Sequence, residues 1–280
     1  MDSVVAKTLL RGLDLIEVVG LHGPLTVTEL ARRTGIDVSI VSRTVSSLEP
    51  DGWLVRQHGK IQPGPRCALL AQLSPASQAI RIAEPLVAAI AGATQVATIA
   101  SGLVGRDVMV LASADANRPA ATVGIMSRVP VHVMAAGRAI ATLLDPAVLS
   151  RVLPPEPYPG AESVIDDLDA ASSLPSMLAA FQAPAVDKRS LPANRAELDA
   201  VLRRIRTDGF SRDDGEIHPG VHCIAVPWAA PGGIPSAIAC IGSRDDVITR
   251  TAVIETCLRA ASQPGTGPAD VIRAASNVTT

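Results

Sequence analysis

The stretch from Thr26 to Leu48 permits very few folds. Thr26 followed three residues later by Glu29 is a capping box, in which the threonine oxygen accepts from a free amide and the glutamate reaches back to the cap. A short helix therefore starts at this point. Gly35 breaks it, Ile36 packs in the turn, and Asp37 is a good N-cap for a second helix from Val38 onward. On that second helix Val41, Thr44, Val45 and Leu48 recur at i, i+3, i+4 and i+7, while Ser39, Ser42, Arg43 and Ser46 take the other face. Two short helices joined by a glycine turn, with a face of small hydroxyls and one arginine left free, make a helix-turn-helix.

That polar face suits the major groove of DNA. Small hydroxyls let the helix approach base edges, and an arginine can bridge guanine O6 and N7 or a phosphate. A merely solvated helix face is the competing reading, and the residues that follow argue against it. Asp51-Gly52 ends the helix, Trp53-Leu54-Val55 reads as a strand, His58-Gly59 as a turn and Lys60-Ile61-Gln62 as a returning strand, which adds a wing. The DNA-facing set comprises Thr26 and Arg33 on the first helix, Val38, Ser39, Ile40, Ser42, Arg43 and Ser46 on the second, and Arg56 and Lys60 on the hairpin. Arg33, Arg56 and Lys60 are placed to meet phosphates.

Length and charge bound the rest. At 280 residues the chain is long enough for a second domain with its own core. Aromatic residues make up 2%, which leaves no stacking platform for single-stranded nucleic acid. The net charge is -2, and the first 66 residues hold eight basic against seven acidic side chains. Binding strength must then come from placement and from pairing two readers, not from bulk charge. Cys67, Cys223, Cys240 and Cys257 show no metal-ligand spacing and fit reduced thiols of a cytoplasmic protein. Arg11, Asp14 and Glu17 interrupt the first apolar stretch, so neither a membrane span nor a signal peptide is expected, and no cofactor or metal is called for.

Along the chain, Val5, Leu9, Leu13, Ile16 and Val19 have roughly helical spacing, giving a first helix over 4–19 that packs under the reader. The winged domain spans 1–65, a linker helix 66–80, and a second domain 81–280. In the second domain the pattern predicts an apolar helix (Ile82, Leu86, Ile90) and a hairpin of 96–100 with 108–112. It also predicts a strand at 122–126 and helices over 135–144, 174–181, 195–207 and 253–261, with strands at 221–228 and 236–242. Hairpins mixed with helices indicate an α+β sensor with an antiparallel sheet, not a βαβ enzyme.

With the winged helix in front and this domain behind, the chain resembles the IclR family of bacterial transcription regulators. The resemblance runs through Arg11-Gly-Leu-Asp-Leu-Ile, Leu25-Thr-Val-Thr-Glu-Leu-Ala, Gly35-Ile, Ser39 to Arg43 and Gly52-Trp-Leu in the reader. In the sensor it rests on Gly124, Pro130-Val-His132, Gly137-Arg-Ala139, Asp208-Gly-Phe210, Glu216 and Gly220-Val-His-Cys-Ile-Ala-Val-Pro227. It implies a GAF-like effector domain, a homodimer or homotetramer on a palindromic operator in double-stranded DNA, and control of a neighbouring catabolic operon by a small-molecule effector, as a repressor or, alternatively, as an activator. The implied pocket is lined by Ala135 and Ala136, Asp213, Cys223, and Ala239 and Ile241; Met126, His132, Met134 and Trp228 lie near these segments in sequence.

Members of the family that bind very small keto acids carry hydroxyls where this chain has Ala239 and Ile241. The replacement removes donors and adds apolar area. With amides at the helix start near Ala135 favouring an electron-rich oxygen, the expected ligand is an aromatic or bulky acid, amide or related metabolite, not glyoxylate or pyruvate. Three rivals remain. A hydrolase using Cys223 is disfavoured because neighbouring strand residues point to opposite faces, so His222 cannot activate it. A metal site of Asp213, His218 and His222 competes with ordinary loop residues. A pure dimerisation domain would bind no ligand.

Overall fold

The computed structural model describes residues 7–115, 129–160, 191–217 and 220–278. The expected strand at 122–126, the helix at 174–181, Met126 and His218 lie outside the described residues. The chain divides into two compact units, Met1–Ser77 and Gln78–Thr280.

In the first unit α1 (Lys7–His22), α2 (Val27–Thr34) and α3 (Val38–Leu48) precede the strands β1 (Leu54–Gln57) and β2 (Lys60–Pro63). Both halves of the capping box are present: the Glu29 amide donates to Thr26 Oγ1 at 3.3 Å, and the Thr26 amide donates to Glu29 Oε2 at 2.8 Å. Gly35 caps α2 in the left-handed region at φ 66°, where a side chain would strain the backbone. His58 and Gly59 both have positive φ, the two-residue turn that matches strand twist, and set Arg56 opposite Ile61. Leu25 bridges to Ile61 and ties the chain before α2 to the wing.

The core of this unit is Leu15, Val19, Leu30, Val41, Val45, Leu54 and Ile61, all fully buried. One expectation fails here. Leu9 and Leu13 are 63% and 49% exposed, because α1 turns Gly12, Leu15 and Val19 inward instead. Apolar residues lie all round α1, so spacing alone could not choose its inner face.

The linker stretch 66–80 holds the Ala/Leu helix α4 (Pro65–Leu73) and, after an interruption at Ser74-Pro75, the start of α5 (Pro75–Thr94). Each has a proline in its first turn, where no amide bond is lost.

Among the described residues of the second unit, six strands form one antiparallel sheet in the order β5-β4-β3-β8-β7-β6. These are β3 (Ala97–Val104), β4 (Asp107–Ala114), β5 (Val129–Pro130), β6 (Ser211–Asp214), β7 (Val221–Ala229) and β8 (Pro235–Ser243). One face is covered by α6 (Ala135–Ala141), α7 (Pro146–Val152) and α8 (Arg195–Asp208), which pack with Ile99, Cys223, Ala225, Ala237, Ala239 and Ile241. The other face carries α5, α10 (Thr251–Ala261) and α11 (Pro268–Ser276), which pack with Ala100, Ile224, Val226, Trp228, Ile238 and Cys240. The short helix α9 (Arg244–Thr249) follows β8 and is capped by Ser243. Alternation along β7 and β8 thus sorts their apolar residues into two separate cores. The α+β expectation with an antiparallel sheet is borne out.

Candidate DNA-binding and effector sites

The reader face is built by local rules. Asp37 Oδ1 accepts from the Ser39 amide at 2.8 Å and from the Ser39 hydroxyl at 2.5 Å, so Ser39 is held at the start of α3 with its oxygen still able to accept. These hydrogen bonds hold the Asp37 carboxyl below its usual range. Ser39, Arg43 and Ser46 are exposed and Ser42 is half-buried, opposite the buried Val41 and Val45. Arg43 Nε donates back to the Ser39 carbonyl at 3.3 Å. Val38 is 47% exposed and Ile40 half-buried on the same helix.

Other expected residues are partly committed elsewhere. The Thr26 hydroxyl is engaged with Glu29 Oε2 at 2.8 Å in the cap. Arg56 pairs with Glu49 at 3.4 Å, joining the wing to the end of α3. Arg33 and Lys60 are exposed.

The second site lies between α6 and the sheet. Strand register sets Asp213 beside Cys223 and Cys223 beside Ile241, with Ala225 beside Ala239 in the neighbouring row. Ala135 and Ala136 at the start of α6 are buried against the same face, and Met134 is half-buried there. Small side chains on both surfaces allow the helix close to the sheet. Gly137 is needed for this, since a Cβ there would lie 2.4 Å from the Val131 carbonyl oxygen. Trp228 does not join this group. It is buried on the opposite face with α5 and α10, because it lies an odd number of residues along β7 from Cys223.

Polar chemistry here centres on a residue that sequence spacing did not single out. Arg138 is 1% exposed, and one of its amino groups lies 2.8 Å from the Arg212 carbonyl oxygen and 2.5 Å from Glu216 Oε2. Asp213 is also buried, and its Oδ1 accepts from the amides of Gly215 and Glu216 at 3.1 and 2.8 Å. Burial raises both the Asp213 and Glu216 carboxyls above the usual carboxylate range, against the opposing pull of Arg138. A charged residue inside the alanine run of 135–141 was the available signal, since arginine is almost never fully buried without a partner.

His132 is fully buried one turn before α6, with Nε2 3.1 Å from the Pro159 carbonyl oxygen and its ring 5.0 Å from that of Tyr158. Burial first, and then the charge of Arg138, lowers its pKa. In the same layer the buried atoms Ser101 Oγ, Ser211 Oγ, His132 Nδ1 and Arg138 Nε have no hydrogen-bond partner among the described residues. Ser101 faces this layer beside Ala237, and Ser211 beside Ala225.

Burial pushes the Cys223 thiol well above its ordinary value, so it is protonated at neutral pH and a poor nucleophile. Strand alternation sends the neighbouring His222 to the other face, where Nδ1 lies 3.6 Å from Asp214 Oδ1. Among the described residues no three histidine, cysteine or acidic side chains converge as a metal site. No helix described is long and apolar enough to cross a membrane.

Residues 8–58 match the profile of the IclR helix-turn-helix domain. None of the curated protein sequences matches the chain. Among solved structures, an IclR homologue from Microbacterium hydrocarbonoxydans complexed with 4-hydroxybenzoate is 19% identical, covers 96% of this chain and 99% of its own, and superposes with a TM-score of 0.64. An IclR transcriptional regulator from Silicibacter sp. is 21% identical over 96% of each chain, with a TM-score of 0.58. A transcriptional regulator from Rhodococcus sp. RHA1 is 19% identical over 97% of this chain and 99% of its own, with a TM-score of 0.56. The resemblance to IclR regulators is borne out in the reader and in the fold of the whole chain.

Proposed function

Starting from an IclR helix-turn-helix domain at residues 8–58, we propose that this chain is a ligand-responsive transcriptional regulator and not an enzyme. It binds a palindromic operator as at least a dimer and represses a neighbouring catabolic operon until a small apolar-bodied metabolite is bound. The observation that carries the reading is the exposed Ser39, Arg43 and Ser46 face of α3, held rigidly by the Asp37 cap and by the buried Val41 and Val45. A helix fixed in this way loses little conformational freedom on entering a groove.

Pairing is supported by the outer face of α1. Leu9 and Leu13 line a groove of about 640 Å3 together with Ile16, Leu48 and Trp53 and with Ile40 and Arg43 on α3, and Leu10 is also exposed. Protruding leucines next to a groove of the same helix are self-complementary, as a two-fold contact between copies requires. The second copy is the occupant that the reader itself needs, because one reader of nearly balanced charge lacks the phosphate contacts for tight binding alone.

The effector reading rests on the layer around Cys223, where apolar walls meet a few buried polar groups, the usual pattern of a small-molecule site. The 4-hydroxybenzoate held by the Microbacterium homologue is a ligand of the proposed size and kind.

Gel-shift titration of the DNA flanking the gene tests the central claim. Arg43→Ala is expected to weaken operator binding by about 1–3 kcal/mol. Unchanged affinity with intact circular dichroism would remove Arg43 from the interface.

A further inference from the structure

The effector site, if it lies where proposed above, holds one buried hydrogen-bond acceptor that nothing among the described residues meets, the imidazole of His132. Nε2 of His132 faces the Pro159 carbonyl, which can only accept, so the proton of the ring sits on Nε2. Burial of the ring keeps it neutral, and the nearby guanidinium of Arg138 adds to the effect. Nδ1 is then a bare lone pair, fully buried and without a partner among the described residues. A buried acceptor left unmet is costly and calls for a donor.

Asp213 and Glu216 bring two carboxyl groups beside Arg138, whose amino group is engaged with Glu216 and the Arg212 carbonyl while its Nε–H has no partner among the described residues. A ligand that offered only a carboxylate at this end would leave His132 Nδ1 unmet, whatever it gained from the Arg138 Nε–H. A hydroxyl or an amide N–H would meet acceptors.

We propose that the effector carries a hydrogen-bond donor, a hydroxyl or amide N–H on an apolar ring or chain, and that His132 Nδ1 is the acceptor that reads it. This deepens the effector reading by naming the group that the site selects. His132 thereby becomes a specificity residue for the ligand, not only a core histidine packed beside Tyr158.

Isothermal titration of the full chain with 4-hydroxybenzoate, benzoate and 4-methoxybenzoate tests it. Benzoate lacks the donor, and the methoxy compound has it capped. The wild-type protein is expected to prefer 4-hydroxybenzoate over both by about tenfold or more. His132→Leu should bring the three affinities close together, and His132→Asn, which keeps an acceptor, should restore part of the preference if the leucine variant fails to fold. Equal affinities in the wild type, or a preference that survives in His132→Leu, would overturn the proposal while leaving an effector site in place. If none of the three binds at millimolar concentration, the effector reading falls, and this proposal with it.

Discussion

Replacing Arg138 by methionine separates the buried charge cluster from the rest of the fold. Methionine approximates the aliphatic stem, so the loss is chiefly the guanidinium that sits 2.5 Å from Glu216 Oε2 and 2.8 Å from the Arg212 carbonyl oxygen. Breaking a buried ion pair from one side costs about 3–5 kcal/mol, because the remaining charge has no compensation. For a unit of this size that lowers the unfolding midpoint by about 6–20 °C.

The penalty should also depend on pH, with a definite sign. Burial already raises the Asp213 and Glu216 carboxyls in the folded state, and Arg138 opposes that shift, so its removal raises them further. An acid with a raised folded pKa binds more protons when folded than when unfolded. Stability then falls as pH climbs from the unfolded value, about 4, through the folded one. The gap between wild type and Arg138→Met should therefore be small near pH 4 and widen toward pH 8. Trp228 is buried in the same unit, so its fluorescence in a Trp53→Phe background reports this unit alone as urea is added. A loss below about 1 kcal/mol at neutral pH, or an equal loss at both ends of the range, would refute the reasoning, since surface pairs behave that way and buried ones do not.

Two further outcomes concern the reader. Lys60→Ala should weaken binding to all DNA sequences alike and reduce the slope of log affinity against log salt by about 1, the signature of a phosphate contact, which the exposed Lys60 on the wing is proposed to make; a selective loss on the operator would make it a base reader. Leu13→Asp should shift the protein toward monomer in light scattering and weaken operator binding without changing its circular dichroism, since Leu13 is exposed on the groove of α1; an unchanged mass and affinity would place the dimer contact elsewhere.

The amino-acid sequence alone determined the reader. Its signals are local: a cap and its glutamate three residues apart, a glycine that accepts positive φ, a period of 3.6 along α3, and a two-residue turn at His58-Gly59. Each fixes backbone geometry through atoms within about one helical turn, so no distant residue is needed to read it. The hairpin of β3 and β4, the pairing of β7 with β8 and the capped helix α8 were legible for the same reason.

Tertiary structure decided the questions of side and partner. Alternation says that Cys223 and Trp228 face apart, but only the packed helices say which core each one enters. The face that α1 buries depends on what lies beneath it, and Gly12, Leu15 and Val19 win over Leu9 and Leu13 through contact with the reader core. Arg138 finds its backbone acceptor 74 residues along the chain, on β6. Burial of a charge is settled by such long-range partners, whose approach costs chain entropy that no local pattern records. The reader was therefore written in neighbouring residues, while the buried polar group around Arg138 exists only once the sheet and α6 have closed on each other.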